Sequence, residues 1–468
     1  MKKKAVVIGM TLGLLIVWVA GTRLVQASVH EANHESRMAS AIAYPDAQWV
    51  LSTIDGTRNV GEYVSLSIEP SSGQIFVSYY DQAGKDLYLA IYDGKKGDCG
   101  PGNTWHCHKL DSVGDVGKFN SIDTLGNPDG VEFGISYYDA TNRGLKYISG
   151  FNQSSGFSWL ASKVQSSAII TNRTGQYTSL KFNKNGIPYI AYNRSLLSSS
   201  KQMLAHFVGD GTGNCGEGDE AGQWQCDTVA SGQGVGINAA LDFDSAGHPV
   251  IAYYDANKNI PVVAGFDGTS WLLRDVKNGT DKTGRDVSLF VDNGNVAHIA
   301  YHNETKGTVE YASYVGSGGN CGYNSITLRS EWDCGEIEDV GAGSIPMGLS
   351  LVGDAHGLPV IAYQYGAEAQ VQPAVKIARP KVAAGVSLYK TNCGPLFLGF
   401  HTWYCDYVDA GINTYTEEGS SVSVAMNSAN LPVVAYQELD TYETPDKGRL
   451  KVAAQHLFLY LPLVAKSK

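Results

Sequence analysis

The stretch Trp49-Val50-Leu51-Ser52-Thr53-Ile54-Asp55 decides the fold, because six near-copies of it recur downstream. They read WHCHKLD from Trp105, WLASKVQ from Trp159, WQCDTVA from Trp224, WLLRDVK from Trp271, WDCGEIE from Trp332 and WYCDYVD from Trp403. Seven of the eight tryptophans are therefore one position repeated, and the eighth, Trp18, lies in an N-terminal leader. A recurrence of this kind marks a repeat array, which sets aside the several-domain expectation that a length of 468 residues would otherwise carry.

A second landmark runs in step with the first. Apolar runs end at Tyr79, Tyr137, Tyr192, Tyr253, Tyr301, Tyr363 and Tyr436, and thirteen to sixteen residues before each stands a small residue: Ser65, Ser121, Ser179, Ala240, Ser288, Ser350 and Ser423. Turns such as Asn185-Gly186-Ile187-Pro188 lie between. Each unit holds four strand candidates, in the fourth repeat Ala240 to Phe243, Pro249 to Tyr254, Pro261 to Phe266 and Trp271 to Val276. The second is apolar on both faces, as a strand between neighbouring sheets must be. Seven such units predict an all-β, seven-bladed β-propeller of four-stranded antiparallel blades over residues 47–456. The last unit lacks a tryptophan of its own, so Trp49–Asp55 is expected to complete its sheet and remove the open edge.

Composition agrees with short strands and tight turns: 54 Gly, 27 Tyr and only 17% charged residues. A net charge of −11 excludes an electrostatic nucleic-acid partner. Lys2 to Lys4, the apolar run Ala5 to Ala20 and Val25-Gln26-Ala27 give residues 1–27 the form of a secretory signal peptide. Its apolar run is short for an uncleaved span. A secreted or cell-surface protein is expected. Residues 28–46 read as a flexible linker. Within them His30-Glu31-Ala32-Asn33-His34 matches a zinc-protease motif, but no amphipathic helix follows to present both imidazoles on one face. Residues 457–468 form a hydrophobic and basic tail too short to span a bilayer.

All eight cysteines fall into four local pairs, Cys99 with Cys107, Cys215 with Cys226, Cys321 with Cys334 and Cys393 with Cys405. In each pair the second cysteine stands two residues after a repeat Trp. Spacing of the C-x₂-C kind that favours zinc is absent, so four hairpin disulfides are expected.

The units resemble secreted bacterial seven-bladed β-propellers of the form S-L-x-x-D-x-x-G-x-P-x-I-A-Y-Y-D, followed by elements such as Leu145-Lys146-Tyr147-Ile148 and then a Trp. They are distantly similar to the sialidase-like superfamily, whose Asp-box turn has a degenerate counterpart in Asp267-Gly268-Thr269-Ser270-Trp271. An Asp-box is a structural turn. The catalytic set that this likeness would imply, three convergent arginines and a Tyr nucleophile paired with Glu, is not singled out by any spacing here.

A binding reading has better local support. In a propeller the loops that join fourth to first strands, and second to third strands, share one face. There the sequence presents Tyr63, Phe119, Tyr177, Asn238 and Asp286 two residues before the small landmark, with Arg285 alongside, and Asp81, Asp139, Arg194, Asp255, Asn303 and Glu438 two residues after the tyrosine. Aromatic faces beside carboxylates and amides suit sugar rings. The aspartates equally suit turn N–H groups, and the aromatics equally suit packing between blades. The expected role is non-enzymatic recognition of a glycan or an extracellular protein by a monomer without a cofactor. Calcium is an option at Asp-rich turns, although Asp210-Gly211-Thr212-Gly213-Asn214 lacks the Glu of an EF-hand loop. The alternatives are a glycan-cleaving enzyme using carboxylates such as Asp286, Glu417 and Glu438, and an architectural envelope protein.

Overall fold

In a computed structural model the chain is described over residues 48–154, 156–341, 348–366, 373–380, 392–397, 400–410, 416–440 and 447–456. The stretches read as a signal peptide, as a linker with the His30–His34 motif and as a tail lie outside the described residues. Among the described residues thirty strands form seven antiparallel sheets. Their first strands are Val60–Ile68, Val116–Asn127, Arg173–Phe182, Ile237–Phe243, Thr283–Val291, Leu349–Gly353 and Thr416–Met426, and these define blades 1 to 7. Each first strand touches the next around a closed inner ring. In blade 4 the strands are Ile237–Phe243, Pro249–Asp255, Ile260–Phe266 and Trp271–Asp275, within a few residues of the sequence reading.

The ring closes as expected. Gln48–Asp55 is the outer strand of blade 7, antiparallel to Lys447–His456, with Trp49 opposite Gln455.

The hydrophobic core is divided into seven clusters, one at each junction between blades. All seven landmark tyrosines are buried in them. A phenol in such a wedge needs a partner for its hydroxyl, and at five of the seven junctions the seventh residue of the repeated heptapeptide supplies it. Tyr79, Tyr137, Tyr363 and Tyr436 donate to Asp55, Asp111, Glu338 and Asp409 of the preceding blade's outer strand at 3.2, 2.7, 2.5 and 2.6 Å. Tyr192 donates to Gln165 at 2.8 Å. Lys146, Lys376 and Lys451, from the third strand of the blade that supplies the tyrosine, pair with Asp111, Glu338 and Asp409, and Arg58 pairs with Asp55. Between blades 4 and 5 the charges exchange places: Lys277 holds the seventh position and pairs with Glu310 of the third strand. Between blades 3 and 4 the position is Ala230.

The small-residue landmark has a bonding role. Ser65, Ser121, Ser288, Ser350 and Ser423 accept at Oγ from the backbone N–H of Ile122, Leu180, Leu351, Val424 and Leu66 in the next blade, at 3.0 to 3.1 Å. Ser179 accepts from Leu241 at 3.0 Å. At Ala240 there is no hydroxyl, and that junction is bonded two residues further on, where Asp242 accepts from Val291 at 2.7 Å as Asp123 does from Phe182 at 2.8 Å. Each bond satisfies an inner-strand N–H that has no ladder partner on that side.

Four disulfides form as paired in the sequence, Cys99–Cys107, Cys215–Cys226, Cys321–Cys334 and Cys393–Cys405. They are compatible with an extracellular protein. Each closes a loop over its tryptophan. In blades 5 and 6 the loop adds a fifth strand, Cys321–Asn324 and Cys393–Phe397, and in blades 1 and 3 a single bridge, Cys99 to Trp105 and Cys215 to Trp224. The residue before the first cysteine clips the second: Asn214, Asn320 and Asn392 accept from the backbone N–H of Cys226, Cys334 and Cys405 and donate to the same residues' carbonyls. Asp98 accepts from Cys107. The residue after the first cysteine is always Gly; at Gly100, φ 71°, an added Cβ would stand 2.7 Å from the Trp105 ring.

Candidate functional site

Before the small landmark each of the first five inner strands bulges. Val60, Glu62 and Ser65 pair with Asp81, Tyr80 and Ser78, so the register slips on both sides of Glu62 and this strand carries extra chain there, and similar irregularities precede Ser121, Ser179, Ala240 and Ser288. Within the bulge Tyr63, Phe119, Tyr177, Asn238 and Asp286 take φ between 51° and 55°. The left-handed region is unusual for non-glycine residues, and an aromatic held there is an outlier that points toward function. A bulge re-aims the side chain at the end of a strand. Here the five sit at the same end of the inner ring, at the mouth of the channel it encloses, with Tyr63, Phe119 and Tyr177 in ring contact and Asn238 bonded to Asp286.

The five make an arc with two halves. Tyr63 and Phe119 stand with ring centroids 4.6 Å apart, as do Phe119 and Tyr177. Tyr80 and Tyr138 pack behind at 6.1 and 6.2 Å. The aromatic arc thus spans blades 1 to 3. In blades 4 and 5 the same position is polar: Asn238 Nδ2 donates to Asp286 Oδ1 at 2.8 Å, and buried His302 approaches Asp286 Oδ2 at 3.4 Å. Arg285 beside it pairs with Glu304 at 2.7 Å. Burial pulls that guanidinium down, but the bond and charge of Glu304 prevail and leave it above its ordinary value.

Electrostatics tie the halves together. Burial pushes the Tyr177 phenol up, Arg285 pulls it down and Asp286 pushes it up. Burial and Glu62 raise Tyr63, which also feels Tyr177. These hydroxyls stay protonated at neutral pH and offer donors. Further along the inner strands lie Asp123, Lys181 and Asp242. Burial raises the Asp123 carboxyl, and the charge of Asp123 raises Lys181.

Of the residues singled out in the sequence, Tyr63, Phe119, Tyr177, Asp286 and Arg285 gather at this mouth. Asp81, Asp139 and Asp255 are buried in hairpin turns, where they accept backbone N–H bonds from Ala83 and Gly84, from Asn142, and from Asn257 and Lys258. Glu438 is buried against Arg449 and Lys451; burial pushes its carboxyl up, yet the two cations hold it below its ordinary value. The side chains of Glu417 and Glu418 lie outside the described residues. Asn238 and His302 complete the polar half. The Gly two residues before each bulge residue, Gly61, Gly117, Gly175, Gly236 and Gly284, was the available signal for the bulge. Among the described residues no group of three or more His, Cys, Asp or Glu is placed to hold a metal ion.

No family model and no curated protein matches the chain. Solved structures similar to it include a fungal lectin of Aleuria aurantia with a six-bladed β-propeller fold, at 12% identity over 71% of this chain and 96% of that one, TM-score 0.42. A leech intramolecular trans-sialidase is similar at 12% identity over 85% and 68%, TM-score 0.39. An oligogalacturonate lyase in complex with manganese is similar at 9% identity over 88% and 99%, TM-score 0.45. What those proteins bind or cleave is a property of theirs.

Proposed function

We propose that the chain is an exported recognition module that binds a glycan at the mouth of its channel without cleaving it. The observation that supports this reading is the arc itself. Three aromatic rings on adjacent blades run into an amide–carboxylate pair at the same backbone position. A sugar presents an apolar ring face and a polar edge, and the arc offers a partner for each. The rings are carried on inner strands, so the site is largely preformed.

The carboxylates considered for cleavage support it less. A general acid needs a raised pKa near working pH, whereas Glu438 is held low by Lys451 and Arg449 after burial is overcome.

A glycan-array screen of the oxidised chain, with each hit assayed for released product, tests the reading. Binding without turnover that weakens at least tenfold in Tyr177→Ala is the expected result, since an aromatic contact of this size contributes about 1 kcal/mol beyond its buried area. Product release would turn the reading to a glycan-cleaving enzyme. A blank array would turn it to a protein ligand.

A further inference from the structure

The same face carries a second feature that the arc does not use. Four loops follow one another around blades 1 to 3: residues 112–115, 140–143, 166–172 and 196–199. They are contiguous. Asp115 N–H donates to Thr141 Oγ1 at 2.8 Å, a Cβ added at Gly144 would stand 3.0 Å from Ser166 Cβ, and Thr174, whose N–H donates to the Arg143 carbonyl, is the strand partner of Arg194. At their tips stand Val113, Ile169, Ile170 and Leu197, between 60% and 82% exposed. A soluble surface scatters such residues singly; here four share one sector of one face.

Beside them stand three cations, exposed Arg173 and half-buried Arg143 and Arg194, which make no ion pair among the described residues, and the Nε atoms of Arg143 and Arg194 are buried without a partner. Arg143 and Arg173 are close enough to act together on the Tyr138 phenol, which burial raises and both pull down. The one acid in these loops, Asp115, is engaged by Lys118 and Tyr80. In a chain of net charge −11, this sector is cationic and apolar.

We infer that this sector docks on an anionic lipid surface. The apolar groups are aliphatic and project from separate loops, whereas a protein interface centres on aromatic anchors seated in pockets. A fluid acyl layer accepts separate projections, and arginines at headgroup depth meet its phosphates. No helix among the described residues is long and apolar enough to cross a membrane.

Sedimentation with vesicles of equal parts phosphatidylcholine and phosphatidylglycerol tests the inference. The chain should pellet with them, release as salt rises, and pellet poorly with phosphatidylcholine alone. Ile169→Asp combined with Ile170→Asp should weaken pelleting about tenfold or more. Arg173→Glu should weaken it and flatten its salt dependence. Ile326→Asp, at a position 90% exposed on the blade 5 cap, should change nothing, and Tyr177→Ala should lower glycan binding while leaving pelleting intact. The leader is common to every variant, so any difference reports the loops. Absence of pelleting with anionic vesicles, or equal pelleting by the Ile169 and Ile170 variant with an unchanged thermal midpoint, would overturn the inference.

Discussion

The fourth strands of blades 5 and 2, Arg329–Asp339 and Gly156–Gln165, carry the same repeated tryptophan, which meets opposite fates in the two. Trp332 is fully buried beneath its disulfide loop, while Trp159, in a blade without cysteines, is 42% exposed. The pattern holds around the ring. Trp105, Trp224 and Trp403 are buried under loops, and Trp49 and Trp271 are half-buried. Uncapped strands also expose aliphatic pairs, Val50 and Leu51, Leu160 beside Trp159, Leu272 and Leu273. One sequence position therefore sets where the strand lies, and a separate device sets whether its ring is core.

The widest separation should come from removing the ring. Trp332→Ala should cost about 3–5 kcal/mol in denaturant unfolding, the range for a buried aromatic, and Trp159→Ala about 1 kcal/mol. Equal costs would show that the loop does not make Trp332 core. The other end of the same strands follows its own rule. Lys277→Glu should cost about 3–5 kcal/mol, because it sets a like charge against Glu310 in a buried pair, and adding Glu310→Lys should restore most of that by rebuilding the arrangement of Glu338 and Lys376.

Removing the staple itself should cost less. Cys321→Ser with Cys334→Ser opens a loop of 13 residues' separation, worth about 3 kcal/mol on the loop-entropy model, and should make Trp332 as accessible to acrylamide as Trp159. Fluorescence quenching unchanged from the native chain would show that the Asn320 clip suffices without the bond.

The smallest effect is in acid. Burial pushes the Asp111 carboxyl up, but Lys146 and Tyr137 prevail and hold it below its ordinary value. A depressed carboxyl contributes stability above its unfolded value, about 4, and loses it as pH falls through the folded value. Stability should decline below about pH 4, and less steeply in Asp111→Asn. The neutral junction at Gln165 and Tyr192 should add nothing to that slope, so Gln165→Asn should leave it unchanged.

The ring, its strand order and its closure were legible because Trp and Tyr recur in step, and buried rings at fixed spacing admit few architectures. The pairing of cysteines was legible for the same reason. The seventh letter of each heptapeptide was in plain view as D, D, Q, A, K, E and D, but its meaning lies in a tyrosine of the next blade and a lysine further on. Ser65 and its equivalents read as small; their hydroxyls act across a junction some 57 residues long in sequence, beyond any local pattern. The mouth was half legible. Tyr63, Phe119 and Tyr177 could be placed at one shared position of the repeat, whereas Asp81, Asp139 and Asp255 lie at the same end of their blades but turn into their own hairpins. Only backbone geometry separates the two groups: the first sit on bulges, the second in tight turns.

The hydroxyl of Ser423 and the N–H of Leu66 complete the belt across 357 residues, and this fixes an order in time. At synthesis rates of about 5–20 residues per second, the acceptor is made roughly 20 to 70 seconds after its donor. Until then blade 1 has no neighbour on one side, and Gln48–Asp55 has no sheet to join. The first described strand of this protein is among the last to find its place, and the growing chain is an open arc that becomes a ring only when its C-terminal strands are made.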